Sequence, residues 1–170
     1  MDIQYRKPFI PHVPTIETFS RTVLHSAEYR NRENYKDHNV LIIGDGLSAD
    51  DLICDLRGFA KSLFLVRRRF QSTFDDRIKY PNIQRVPEPL NFIASGLALD
   101  DGTSQVIDTI ILCTGYVLHF PFLTPDCKVQ YNRGHAWPLY RHTIHCHYPT
   151  IAFNGCIQKI IPVMTVVRNK

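Results

Sequence analysis

Residues 39–66 hold the pattern that most restricts the fold: an apolar run, a glycine turn, a helical period and a second apolar run. Asn39-Val40-Leu41-Ile42-Ile43 is continuous and rich in β-branched residues. It reads as a strand covered on both faces, as in a parallel sheet. Gly44-Asp45-Gly46 interrupts it. From Leu47 the apolar residues Leu52, Ile53, Leu56, Phe59 and Ala60 recur at roughly helical spacing, with Gly58 either a cost inside that helix or its early end. Ser62–Val66 is a second strand of the buried type. The order strand, glycine turn, helix, strand is a βαβ unit and predicts an α/β fold.

The remaining text is arranged around that unit. Pro8, Pro11 and Pro14 make the first residues extended or looping, and residues 19–39 read as a polar, aromatic connector with short turns. Leu97–Leu99 and Val106–Ile107 flank Asp100-Asp101-Gly102, the pattern of a hairpin around an Asp-Gly turn. Asp108–Cys113 is another buried strand, closed by Thr114-Gly115-Tyr116, and the rest is aromatic- and proline-rich with short strands such as Thr150–Phe153. The predicted fold is a Rossmann-type parallel sheet with an antiparallel excursion. The division is 1–35 as a flank, 36–113 as the nucleotide-binding domain and 114–170 as a return segment.

The glycine turn carries the chemistry. Gly44-Asp45-Gly46-Leu47-Ser48-Ala49 matches G-x-G-x-x-A between a strand and a helix. Gly44 permits the tight turn, Gly46 lets a pyrophosphate approach the backbone, and Ala49 keeps the helix close to the sheet. Leu47 and Ser48 lie in the first helical turn, whose free N–H groups and positive dipole end suit an anion. Asp45 must point away from that anion. An NAD site would place an acid after the second strand, but this chain has Arg67, Arg68 and Arg69 there. Guanidinium groups at that place suit a 2′-phosphate, which predicts NADP(H), bound through Arg67 and Arg68; a solvated basic edge is the other reading of the run. Thr114, Gly115 and Tyr116 follow a strand end and so can line the nucleotide crevice, with plain packing an equal reading for Tyr116.

Composition excludes several classes. With 170 residues, 44% hydrophobic and 21% charged, the chain is of one-domain size and globular in character. A net charge of +4 is too mild for nucleic acid as the main partner. No apolar stretch is long enough for a transmembrane segment and no secretory leader is legible. Five scattered cysteines make no disulfide framework, so a reducing, cytoplasmic setting is expected, with membrane-surface association left open. His142-x-x-His145-Cys146-His147 lacks a partner motif for a metal and reads as a solvated loop; Cys113 reads as a small core residue. No tyrosine is followed four residues later by lysine, which counts against a short-chain dehydrogenase.

Several segments, in order, resemble the flavin-containing monooxygenase family. They are Pro8-Phe9-Ile10-Pro11, the run Phe19 to Arg30 resembling F-x-G-x-x-x-H-x-x-x-Y, the glycine turn itself, Leu112–Leu123 with Thr114-Gly115-Tyr116, Leu139-Tyr140-Arg141-His142, and Pro149–Gly155. The signature's glycine is Arg21 here. The resemblance implies FAD and NADPH as cofactors and oxygenation of a small-molecule nucleophile at nitrogen or sulfur. Family members begin with a separate FAD-binding glycine unit, so the flanks are expected to be partial FAD-domain segments, and the chain a truncated form. Phe120, Phe122, Leu123 and Trp137 are then expected to be exposed, favouring docking to a full-length relative or self-association. No catalytic residue is assigned, although His25 and Ser26 resemble family positions near a domain junction. The alternative is a non-catalytic NADP(H)-binding or regulatory protein.

Overall fold

The computed structural model describes residues 6–66, 80–87, 91–132 and 135–153. The chain forms two compact units, Ile10–Gly115 and Met1–Phe9 with Tyr116–Lys170. In chain order the first strands are β1 (Arg6–Pro8), β2 (Thr22–His25), β3 (Asn39–Ile43), β4 (Ser62–Val66), β5 (Ile83–Arg85), β6 (Asn91–Ile93), β7 (Gly96–Ala98), β8 (Ser104–Val106), β9 (Thr109–Leu112) and β10 (Tyr116–Leu118), with one helix, α1 (Leu47–Leu56).

The larger unit is built on a five-stranded sheet in the order β2-β9-β3-β4-β5. All its pairings are parallel. The expected strands 39–43 and 62–66 form as β3 and β4. Their continuous apolar text is explained by the two covered faces. On one face Val40, Ile42, Leu63, Leu65 and Ile111 pack with Ala49, Leu52, Ile53 and Leu56 of α1, a stripe of one helical period. On the other face Leu41, Ile43, Phe64, Val66, Ile110 and Leu112 pack with Phe92 and Leu97. Those two residues belong to β6 and β7, which with β8 form the three-stranded antiparallel excursion around the Asp-Gly turn. Helix, parallel sheet and antiparallel sheet therefore form three layers.

Two local expectations are corrected. The text before β3 is not only a connector, because Thr22–His25 pairs with β9 as an edge strand of the sheet. The helix ends at Leu56 with Arg57 as its C-cap, which places Gly58 at its early end, one of its two expected roles. Thr150–Phe153 forms no strand; its pairing is a single bridge between Ala152 and Ile144.

The smaller unit pairs β1 with β10 and adds two hairpins, β11 (Gln130–Tyr131) with β12 (Ala136–Trp137) and β13 (Leu139–Tyr140) with β14 (Ile144–His145). Its core is Leu118, Phe120, Ala136 and Phe153, and the Phe120 ring meets Phe153 edge-on at 5.1 Å. Phe120, expected at the surface, is thus buried, and Leu123 packs against the same core. Phe122 and Trp137 are exposed as expected. No helix among the described residues is long and apolar enough to cross a membrane.

Leu41 is fully buried between β9 and β4, so Leu41→Ala should cost about 2–5 kcal/mol. Val106→Ala, at a position 43% exposed, should stay within about 0.5 kcal/mol. Urea midpoints of the two variants measure the contrast.

Candidate functional site

The order in which the strands are laid down reverses at the middle of the sheet. From β3 the chain passes through α1 to β4 and β5 on one side, then returns through the antiparallel excursion to β9 on the other. Such a reversal leaves a crevice at the carboxyl ends of the two central strands. Here those ends are level, with Ile43 paired to Leu112. Gly44 follows one and Cys113 the other, and the Cys113 amide donates to the Ile43 carbonyl at 2.8 Å.

Gly44 is needed for this approach. Its φ is +142°, and a Cβ would lie 2.3 Å from the Cys113 carbonyl oxygen. Gly46 is different. It has extended backbone, φ −97°, at the N-cap of α1, and a Cβ there would meet no protein atom within 4 Å. Nothing within the fold demands glycine at 46, which is exposed and faces open space. No side chain caps α1. The Ala49 and Asp50 amides turn back to the Gly46 carbonyl at 2.9 and 3.2 Å. The Leu47 and Ser48 amides head the first turn, where an α-helix has no carbonyls of its own to offer. Both side chains are exposed, whereas Ala49 is fully buried against the sheet. Asp45 is exposed as well.

The second loop of the site is Cys113-Thr114-Gly115. Cys113 is buried in the core beneath α1. Gly115 has φ +79°, a left-handed conformation that disfavours side chains. Its carbonyl is held by His25, whose Nε2 lies 3.0 Å away. The His25 Nδ1 accepts from the Ala27 amide at 3.1 Å, which makes Nε2–H the donor to Gly115. His25 is 1% exposed, and its own amide donates to the Glu28 carboxylate, closing a capping box. The buried ring is pushed below its ordinary imidazole value by desolvation, opposed by the Gly115 carbonyl and Glu28. His25 thus fixes one loop of the site from the end of β2. The sequence reading left it without a role. The signal was a polar residue ending an apolar strand, which only the neighbouring carbonyl explains.

Of the expected site residues, Gly44, Gly46, Leu47, Ser48 and Ala49 form the first loop and helix turn. Thr114 and Gly115 lie in the loop after the adjacent strand. Tyr116 is half-buried and opens β10 in the other compact unit. Arg67 and Arg68 lie outside the described residues.

The neighbouring signature residues are structural. Phe19 meets Phe92 edge-on in the core at 6.3 Å. Tyr29 stacks on Tyr35 at 5.2 Å and donates to Asp55 of α1, holding the helix from its side. Burial and the Asp55 carboxylate push the Tyr29 phenol well above its ordinary value. Arg21, in place of the signature glycine, pairs with Asp108, whose other oxygen accepts from the Asn39 amide at 2.9 Å. The expectation of a solvated loop at His142–His147 is corrected at His145, which is fully buried. Its Nδ1 accepts from the His147 and Tyr148 amides, and its Nε2 donates to the Cys127 carbonyl at 2.8 Å. Both ring nitrogens are committed to the backbone.

A glycine turn feeding a helix where the strand order of a parallel sheet reverses defines the class as a Rossmann-type α/β unit. Comparison narrows it. Residues 4–79 match the model of the Flavin-binding monooxygenase-like family. The chain is 32% identical over 154 residues to trimethylamine monooxygenase from Methylocella silvestris, covering 89% of this chain and 33% of that protein. It is 28% identical over 155 residues to senecionine N-oxygenase from Tyria jacobaeae, covering 89% and 34%. Among solved structures, S-allyl-L-cysteine S-oxygenase from Allium sativum matches with a TM-score of 0.75 at 30% identity, over 93% of this chain and 37% of that one. The chain is similar to the flavin-binding monooxygenase-like family over residues 4–79 and spans about a third of the length of these relatives.

Gly44→Ala should destabilise the larger unit by at least about 2 kcal/mol, because its Cβ would collide with backbone. Gly46→Ala should leave the unfolding midpoint nearly unchanged. The His25 effect has a definite sign. Below its unfolded value near 6.5 the unfolded chain takes up a proton that the folded ring resists. Stability is therefore complete above that pH and declines below it. His25→Gln should flatten part of the fall in urea midpoint between pH 7 and pH 5.5.

Proposed function

We propose that this chain is the NADP(H)-binding part of an FAD- and NADPH-dependent monooxygenase that oxygenates soft nitrogen or sulfur centres of small molecules. The family match and the names of the relatives, two acting on amines or nitrogen and one on sulfur, support the reaction class. The observation that carries the nucleotide assignment is the glycine turn at the end of β3, with exposed Gly46 at the N-cap of α1 and no side-chain cap over the first-turn amides. The pyrophosphate of a dinucleotide would sit there, held by backbone N–H groups and the positive helix end. Arg67 and Arg68, following β4 at the strand position that meets the adenosine ribose, would take the 2′-phosphate.

Each residue then has a physical task. Gly44 brings the two loops together. Gly46 keeps the approach open. His25 holds the Gly115 carbonyl inward on its own loop, so that Thr114 and Gly115 present a fixed wall to the nucleotide. When bound, the flavin supplies the oxygen chemistry and the protein supplies orientation. The chain contains one G-x-G turn, which serves one dinucleotide. For the 170-residue polypeptide we therefore propose pyridine-nucleotide binding without oxygenase turnover.

Calorimetric titration tests this. The chain should bind NADPH more tightly than NADH, and Gly46→Val should weaken NADPH binding at least about tenfold while leaving the fold intact. Arg67→Ala with Arg68→Ala should lower NADPH affinity by about ten- to hundredfold and leave NADH affinity unchanged, removing the preference. Absence of heat with NADPH in folded protein would reject the assignment. NADPH-dependent substrate oxygenation by the purified chain with added FAD would reject the claim about turnover.

A further inference from the structure

The Asp-Gly turn of the antiparallel excursion takes no part in the nucleotide site, yet it carries a reactive sequence. In an Asp-Gly peptide the glycine amide nitrogen can attack the aspartate side-chain carbonyl, because glycine offers no side chain to hinder the approach. The new N–Cγ bond expels the carboxyl oxygen as water and closes a succinimide. Water then opens that ring at the Asp101 main-chain carbonyl, breaking its bond to the Gly102 nitrogen. The product has the chain routed through the aspartate side chain, with one added backbone carbon and no net change in mass. No reagent beyond water is needed.

Both reacting groups are occupied in the hairpin. The Gly102 amide donates to the Leu99 carbonyl at 3.0 Å, which keeps its proton and its direction fixed. The Asp101 Oδ1 accepts from the Thr103 amide at 2.9 Å and from the Thr103 hydroxyl at 2.6 Å. These donors hold the carboxyl in its ionised form, the poorer electrophile, and fold it toward residue 103. The Thr103 bonds also hold the Asp101 carboxyl group below its ordinary range. The Leu99 amide donates to the Thr103 carbonyl at 2.9 Å and closes the loop around them.

We propose that Asp101–Gly102 is a site of spontaneous isoaspartate formation that the native hairpin holds in check through Thr103. The protection exists only while β7 and β8 are paired. A chain that unfolds long enough to react returns with an extra backbone atom between Leu99 and Thr103. That spacing cannot satisfy both bonds of the turn. Leu97, which β7 contributes to the core over the parallel sheet, then loses its support. The modification would convert a reversible opening of the larger unit into a permanent one.

The test follows isoaspartate at residue 101 by peptide mapping with electron-transfer fragmentation, in the full chain incubated at neutral pH folded or in guanidinium. Asp45-Gly46 and Asn154-Gly155 lie on tryptic peptides other than that of Asp101, so neither is confused with it. Isoaspartate at 101 should form at least about tenfold more slowly in the folded chain than in guanidinium. Folded Thr103→Val should react several-fold faster than the parent, Thr103→Ser should restore the parent rate, and all three should react alike in guanidinium. Leu41→Ala, destabilised elsewhere, separates general opening from loss of the Thr103 bond. Equal rates in folded and unfolded parent, or a folded Thr103→Val rate no higher than that of the parent, would overturn the proposal.

Discussion

The contact between Gly44 and the backbone of Cys113 is the constraint on which the nucleotide site depends. Two parallel strands end side by side. The loops can start only if one strand end carries no Cβ, since the neighbouring carbonyl occupies that space. Once that approach is made, α1 is aimed across one face with its first-turn amides at the crevice. The loop after β9 is held alongside. The apolar packing on both faces keeps the two strands in register, so the ends that make the crevice cannot drift apart.

Two buried histidines brace segments that lack regular structure. His25 in the larger unit and His145 in the smaller one use the same arrangement: Nδ1 accepts from amides two or three residues on, and Nε2–H donates to a carbonyl distant in sequence. A neutral imidazole offers one donor and one acceptor on a rigid ring, so it can pair one backbone group of each kind across a gap. In each case the alternative would be a buried carbonyl without a partner, which costs more than the bond itself contributes. His25 lies within the family signature, whereas His145 lies in a segment read as a solvated loop.

The departure at Arg21 is accommodated by charge. Its partner Asp108 also accepts from the Asn39 amide, so the pair sits where β2, β3 and β9 begin. An exposed ion pair adds little by itself. The bond from Asp108 to backbone holds the start of β3, and Arg21 adds its charge to that carboxylate. Arg21 is not among the residues with positive φ, so this backbone does not require glycine at 21.

Residues 39–66 determined their own structure because a run covered on both faces, a glycine turn and a helical stripe each leave a local mark in the text. The family signature was legible for the same reason: its spacing is short-range. The edge strand Thr22–His25 was not legible, since it is short, mixed in polarity and defined only by pairing with residues 109–112. The pattern assigns Gly44 a tight turn, but its collision with the Cys113 carbonyl depended on a neighbour distant in sequence. So did the burial of His25 and His145, whose partners lie 90 and 18 residues away. The sequence by itself determined the elements and the kind of ligand their order suits. Tertiary structure decided which backbone groups meet at the crevice, because that meeting is made by chain segments far apart in the text and close only once the sheet has formed.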